Sequence, residues 1–224
     1  GPPLFVDVGS GSGRICLFAA TAGLHSVGLE IVEGRHAAAV AAKARLLSAP
    51  AAPDGSESNF AEAAARLDLV LGDAFDPAVS SAAMRRARWV CCNNAVWGAG
   101  LNRRLAKLVS PTSCPRLAAL ATTRKLPPRS CVRHGLRLVR ASAVAVSWDA
   151  DVEWPLFVYV RDRKSTAGEA KEEEDDEEEM DNNNDADEEE REMCVATDEI
   201  YNRMMVARAD ALAAIAEPAL RLAA

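Results

Sequence analysis

The run Leu4-Phe5-Val6-Asp7-Val8-Gly9-Ser10-Gly11-Ser12-Gly13, with Val27-Gly28-Leu29-Glu30 ending 17 residues after Gly13, limits this chain more than anything else in it. Four apolar residues around one acid suit a buried strand, and a glycine cluster suits a turn at which backbone approaches a ligand. Arg14 to Ala22 then reads as a helix, so the segment has the strand, turn and helix that open a nucleotide-binding α/β sheet. Glu30 closes a second short strand, where its carboxylate is able to accept both hydroxyls of a ribose. Glycine spacing separates the cofactor classes. A dinucleotide fingerprint wants Gly-x-Gly-x-x-Gly, and Arg14 stands at its third position, whereas Gly-x-Gly-x-Gly is complete from Gly9 to Gly13. That spacing favours S-adenosyl-L-methionine over NAD.

Charge divides the chain into three parts. Residues 1 to 164 carry 13 acids and 21 bases, residues 165 to 192 carry 16 acids and two bases, and residues 193 to 224 carry four and three. The overall charge of −7 therefore hides a body of net +8, suited to polyanionic partners. The run Glu172 to Glu179 repels itself and reads as a disordered acidic linker. Beyond it, Ile200, Met204, Met205, Leu212, Ile215 and Leu220 form an amphipathic helical pattern interrupted by Pro218, which reads as a terminal helix packing on the body or a partner. The expected domains are thus 1–164, 165–192 and 193–224.

Six cysteines (Cys16, Cys91, Cys92, Cys114, Cys131, Cys194) show neither Cys-x-x-Cys pairs nor histidine spacing, and read as reduced thiols of a cytosolic or nuclear protein without a metal site. No apolar run approaches the ~20 residues of a membrane span, and no signal peptide is evident. The chain opens with Gly-Pro-Pro at the edge of a strand and reads as a fragment lacking an upstream part.

After the glycine loop the elements alternate as a parallel sheet requires. Val32 to Leu47 is alanine-rich and helical, Ala49 to Asn59 is a loop, and Phe60 to Arg66 is a short helix. Leu67 to Leu71 is a strand with Gly72-Asp73-Ala74-Phe75 at its carboxyl end, where open α/β sheets hold ligands. Trp89 to Cys92 is a strand ending in Asn93-Asn94; Gly100 to Val109 is a helix; Leu117 to Thr122, Leu136 to Trp148 and Leu156 to Val160 are strands, the last two with an antiparallel edge. The expected fold is α/β, a seven-strand Rossmann-like sheet of the class I methyltransferase type, N-terminally incomplete.

Methyl transfer from a sulfonium needs alignment and exclusion of water more than covalent help. Asp73 is placed to accept from an adenine amino group with Phe75 over the ring; the plainer alternative is a turn. Asn93-Asn94 sits where amino-group methyltransferases meet the methyl donor and the acceptor nitrogen, and a carboxamide offers donor and acceptor without charge. Adenine-directed enzymes usually follow this position with Pro-Pro and an aromatic; here the sequence continues Ala95-Val96-Trp97-Gly98, which turns the reading away from nucleobases. Trp97, Trp148 and Trp154 either wall a narrow channel that desolvates an aliphatic amine or are simply buried. Arg85, Arg86 and Arg88, Arg103, Arg104 and Lys107, and Arg124, Lys125 and Arg129 suit nucleosomal DNA or an acidic histone surface, against the plainer reading of a solvated face.

Phe5 to Gly13, Val27 to Glu30, Gly72 to Phe75, Val90-Cys91-Cys92-Asn93-Asn94-Ala95-Val96-Trp97-Gly98 and Val144-Ala145-Val146-Ser147-Trp148 occur in the order of the disruptor-of-telomeric-silencing family, the non-SET histone-lysine methyltransferases, which this chain resembles over residues 4 to 161. The resemblance implies that Asp7, Gly9 and Gly11 hold the methionine end of S-adenosyl-L-methionine. It gives the ribose to Glu30 and the adenine to Asp73 with neighbouring Ala74 and Phe75. Asn93 is implied beside the transferring methyl, with Trp97 and Trp148 lining the lysine channel. A tyrosine that the family has after the Val-Ser-Trp strand has no clear equivalent, and Trp154 fits its place only with a loop one residue shorter. A nuclear enzyme acting on a nucleosome-core lysine is therefore expected. The alternatives are an RNA or non-histone protein methyltransferase of the same fold, or a cofactor-binding scaffold. The acidic run then attracts histone tails, competes with DNA for the basic body, or solubilises a linker.

Overall fold

A computed structural model of the chain describes residues 3–48, 56–146 and 149–161. The expected acidic linker, the C-terminal helix and Trp148 lie outside the described residues. Seven strands form one sheet: β1 (Leu4–Val8), β2 (His25–Glu30), β3 (Leu67–Leu71), β4 (Ala87–Cys92), β5 (Ala119–Thr122), β6 (Leu136–Val146) and β7 (Asp149–Arg161). Their spatial order is β3-β2-β1-β4-β5-β7-β6. Pairing is parallel from β3 through β5, and β7 runs antiparallel to both β5 and β6. Every residue of β1 is buried, as the central position of its apolar run demands.

Alternation along β1 assigns the two faces. Leu4, Val6 and Val8 join a core with Met84, Leu105, Leu120 and Tyr159, whereas Phe5 packs with Cys16, Ala19, Trp89 and Cys91. The first core lies under α4 (Pro77–Met84), α5 (Ala99–Leu108) and α6 (Pro128–Arg133). The other face carries α1 (Arg14–Thr21), with α3 (Ser56–Ala65) packed between α1 and α2 (Glu33–Ser48).

Four features depart from the sequence reading, the first being that α3 begins at Ser56, inside the stretch read as the loop Ala49 to Asn59. α4 and α6 occupy stretches read only as connections. Asp76 caps α4, its Oδ1 accepting from the Ala78 N–H at 2.9 Å with Pro77 in the first turn. Strand β7 begins at Asp149 rather than Leu156, so it forms a long hairpin with β6. Thr122, the last residue of β5, pairs with Phe157, and the residues of β7 that precede Phe157 therefore reach past the carboxyl edge of the parallel strands. Cys16, Cys91, Cys92, Cys114 and Cys131 are free and buried; Cys194 lies outside the described residues. Among the described residues no helix is long and apolar enough to cross a membrane.

Candidate active site

The carboxyl ends of β1, β2, β3 and β4 bring the sequence-selected residues to one edge. After Val8 the chain turns through Gly9, Gly11 and Gly13 with φ of 77°, 53° and 75°, a backbone that residues with a Cβ rarely adopt. The Gly9 and Ser10 N–H groups both donate to the Leu29 carbonyl, at 2.9 and 3.0 Å, which ties the loop to β2. Ser10 is buried directly over Gly28: a Cβ there would stand 2.6 Å from the Ser10 Oγ. Gly28 is therefore the seat of the loop, a role the sequence reading did not assign to it.

Glu30 is buried and already engaged. Its Oε2 accepts from the Gly11 N–H at 2.6 Å and its Oε1 from the Val32 N–H at 2.8 Å. Each carboxylate oxygen has two acceptor positions, so one on each remains. The sequence reading had this group for the ribose alone; in the structure it also shapes the glycine loop.

Asp7 stands in register between Gly28 and Cys91, only 1 % exposed. Burial first, and repulsion from Glu30 second, push its carboxyl up to about 7, while the Cys16 thiol, 3.9 Å away, donates weakly to it. Burial and the adjacent Asp7 charge in turn push the Cys16 and Cys91 thiols well above the usual range.

Asp73 folds back on its own strand end: Oδ1 accepts from the Phe75 N–H at 2.8 Å. Its Oδ2 lies 3.6 Å from the Arg104 guanidinium, which also sits over the Phe75 ring, 4.3 Å from the centroid. Phe75 packs on Trp97 with centroids 5.8 Å apart and planes at 58°. Ala74 between them is buried, and a Cβ on Gly9 would be 3.9 Å from Trp97. One aromatic pair thus joins the loop after β1, the turn after β3 and the segment after β4.

The two asparagines divide. Asn93 is half-buried, and its Oδ1 accepts from the Thr123 hydroxyl at 2.7 Å. Asn94, read alongside it as a donor-and-acceptor pair, is fully buried and spent on structure. Its Nδ2 donates to Asn102 Oδ1 at 2.5 Å and to the Arg124 carbonyl at 3.1 Å, and its Oδ1 accepts from the Arg124 N–H at 2.7 Å. Asn102 donates to the carbonyls of Trp97 and Gly98, both at 2.9 Å, and Arg124 donates to the Trp97 carbonyl at 2.8 Å. Thr123 and Asn102 escaped the sequence reading, which placed Arg124 only in a cationic cluster and not in the site. Only Thr123 left a signal, as a polar residue just past the end of the strand beside β4. Trp154, paired with Val144, lies on the part of the hairpin that passes the site edge.

These residues fit a nucleoside-bearing ligand: the loop has no side chain at Gly9 and Gly11, Glu30 keeps acceptor capacity, and an acid with an aromatic stands beside it. The model of the histone methylation protein DOT1 family matches residues 2–123. A search of curated proteins finds no match. Among solved structures, the glycopeptide N-methyltransferase MtfA complexed with S-adenosyl-L-methionine is similar with a TM-score of 0.51 at 17% identity, over 71% of this chain and 81% of that one. A second structure of MtfA gives 0.50 at 17% identity, over 70% and 83%. At this identity the likeness is one of fold, that of the class I methyltransferases.

Proposed function

Because the chain belongs to the DOT1 histone methylation family, we propose that it methylates the side-chain amine of a lysine on the nucleosome-core surface of a histone, in the nucleus. Its cofactor is S-adenosyl-L-methionine, which when bound supplies a methyl group already activated on a sulfonium. Alignment, water exclusion and handling of the amine fall to the chain.

The observation that carries the reading is Asn93: a half-buried carboxamide at the end of β4, held through its Oδ1 by Thr123, while Asn94 anchors the same segment from below. Among the described residues no hydrogen bond holds the Asn93 Nδ2, so it is available to orient the reacting groups. The free acceptor positions of Glu30 take the ribose hydroxyls. Asp73 takes the adenine amino group, with Ala74 and Phe75 against the ring. Asp7, Gly9 and Gly11 face the amino-acid end. Trp97 walls the channel in which the lysine Nζ loses water and gives up its proton to solvent, since an apolar wall disfavours the charged amine, and the same role is proposed for Trp148 from the family resemblance alone. The neutral nitrogen then has the lone pair to bond the methyl carbon, which the cofactor when bound would give up by breaking its S–CH3 bond and leaving as the neutral thioether.

Radiolabelled methyl transfer to nucleosomes, free histones and RNA tests the substrate: label in nucleosomes supports the reading, and label in RNA alone sinks it. Asn93→Ala is expected to keep cofactor affinity, measured by calorimetry, and lose most transfer. Unchanged turnover removes Asn93 from the chemistry.

A further inference from the structure

From Pro77 to Trp148 the chain has 13 Lys and Arg and no Asp or Glu. This acid-free stretch supplies α4, α5 and α6, and all three helices cover the same face of the sheet. The helices on this face of the sheet therefore carry cations without acids of their own, the acids that border them being Asp76 at the cap of α4 and Asp73 beside Arg104. The structure also sorts these cations. Arg88 lies 5.7 Å from the centroid of the Trp89 ring, and Arg124 is fixed on the Trp97 carbonyl, so both serve the fold. Arg85, Arg104 and Lys107 instead converge on one groove between α4 and α5, with a volume of about 450 Å³.

We propose that this groove is a binding site for the phosphate backbone of duplex DNA. All three cations are exposed, and Met84 and Leu108 lie beneath them. Thr112 and Ser113 add hydroxyls at the far end. The Ser113 Oγ accepts from Ser110 at 3.3 Å and so keeps its own proton for an anionic oxygen. Arg104 already has Asp73 at 3.6 Å, but that pair is half-exposed and worth little, so it does not cancel the groove's charge. The cationic surface continues onto α6: burial, then Arg133, Lys107 and Arg161, hold the His134 imidazole below its usual range. A duplex presents one negative charge per about 1.7 Å of axis, which matches a row of cations spread over three helices. Choosing DNA over another polyanion rests on the histone reading above, because a nucleosomal lysine is presented beside wrapped DNA.

The test is fluorescence anisotropy of a labelled duplex with the full chain across a range of salt concentrations. Arg85→Ser with Lys107→Ser spares Arg104 and every residue assigned to the cofactor. This double variant is expected to flatten the slope of log affinity against log salt by about 1.8, at ~0.9 for each phosphate no longer neutralised. Cofactor affinity should stay unchanged. Arg137→Ser with Arg140→Ser on β6 removes the same charge away from the groove and should leave the slope as it was. The proposal is overturned by absence of duplex binding, by equal slopes for the two double variants, or by competition from polyglutamate as effective as that from DNA. Transfer to free histones, followed separately, tells failure of the groove from failure of the methyltransferase reading.

Discussion

Replacing Asp7 with asparagine should change the pH dependence of stability more than stability itself. The native carboxyl is held at about 7 against 3.8 for an ordinary aspartate, by burial and then by Glu30. Above 3.8 the unfolded chain releases this proton while the native protein keeps it, so the native state binds more protons and stability falls with rising pH. The decline continues until the native carboxyl also ionises, near 7. Integrated between about pH 5 and about pH 8, this single group removes about 2–3 kcal/mol from the wild-type protein. Asp7→Asn abolishes that decline. The amide brings its own hydrogen-bonding needs, but those displace the curve vertically without tilting it. Urea denaturation of both proteins at each pH reads the effect, because titrating groups not coupled to Asp7 are common to both and cancel in the difference. The wild-type minus variant stability should shrink by about 2–3 kcal/mol over this range, or roughly 4–12 °C in Tm for a chain of this size. Parallel curves would refute the burial argument.

Gly28→Ala sets a Cβ 2.6 Å from the Ser10 Oγ and 2.8 Å from its Cβ, and should cost about 1–3 kcal/mol. Adding Ser10→Gly removes both atoms, so a double-mutant cycle by chemical denaturation should show most of that loss recovered; strict additivity would contradict the packing account. Tyr159→Phe leaves the buried Leu126 N–H without its acceptor, now at 2.8 Å, and should cost about 1–3 kcal/mol by the same measurement. Burial also pushes the Tyr159 phenol up to about 12, so ultraviolet titration should find no phenolate from it at about pH 10.

Short apolar runs mark parallel strands in sequence, which is why β1 and the edge strand β3 were legible to the residue and β4 to within two. Helices α4 and α6 were not, since eight and six residues hold too little periodicity; only Asp76-Pro77 and Pro127-Pro128 marked their starts. The first half of β7 reads Asp-Ala-Asp-Val-Glu-Trp-Pro, poor strand composition that pairing with β6 overrides. The position of Asp7, Glu30, Asp73 and Asn93 at one edge of the sheet was legible because each lies within, ends or closely follows a recognisable strand. Asn102 and Arg124 were not. They reach the Trp97 carbonyl from a helix and from the end of another strand, and no spacing along the chain encodes that meeting.

The packing of Trp97 on Phe75 carries a consequence for how such a protein can diversify. Trp97 lies in the segment after β4 and also borders the loop at Gly9, while Phe75 packs on Trp97 from the turn after β3. A change of ring size at either position is felt in both compartments at once. New acceptor preferences are therefore harder to reach by reshaping this shared wall than by changes at positions that touch only one side of it.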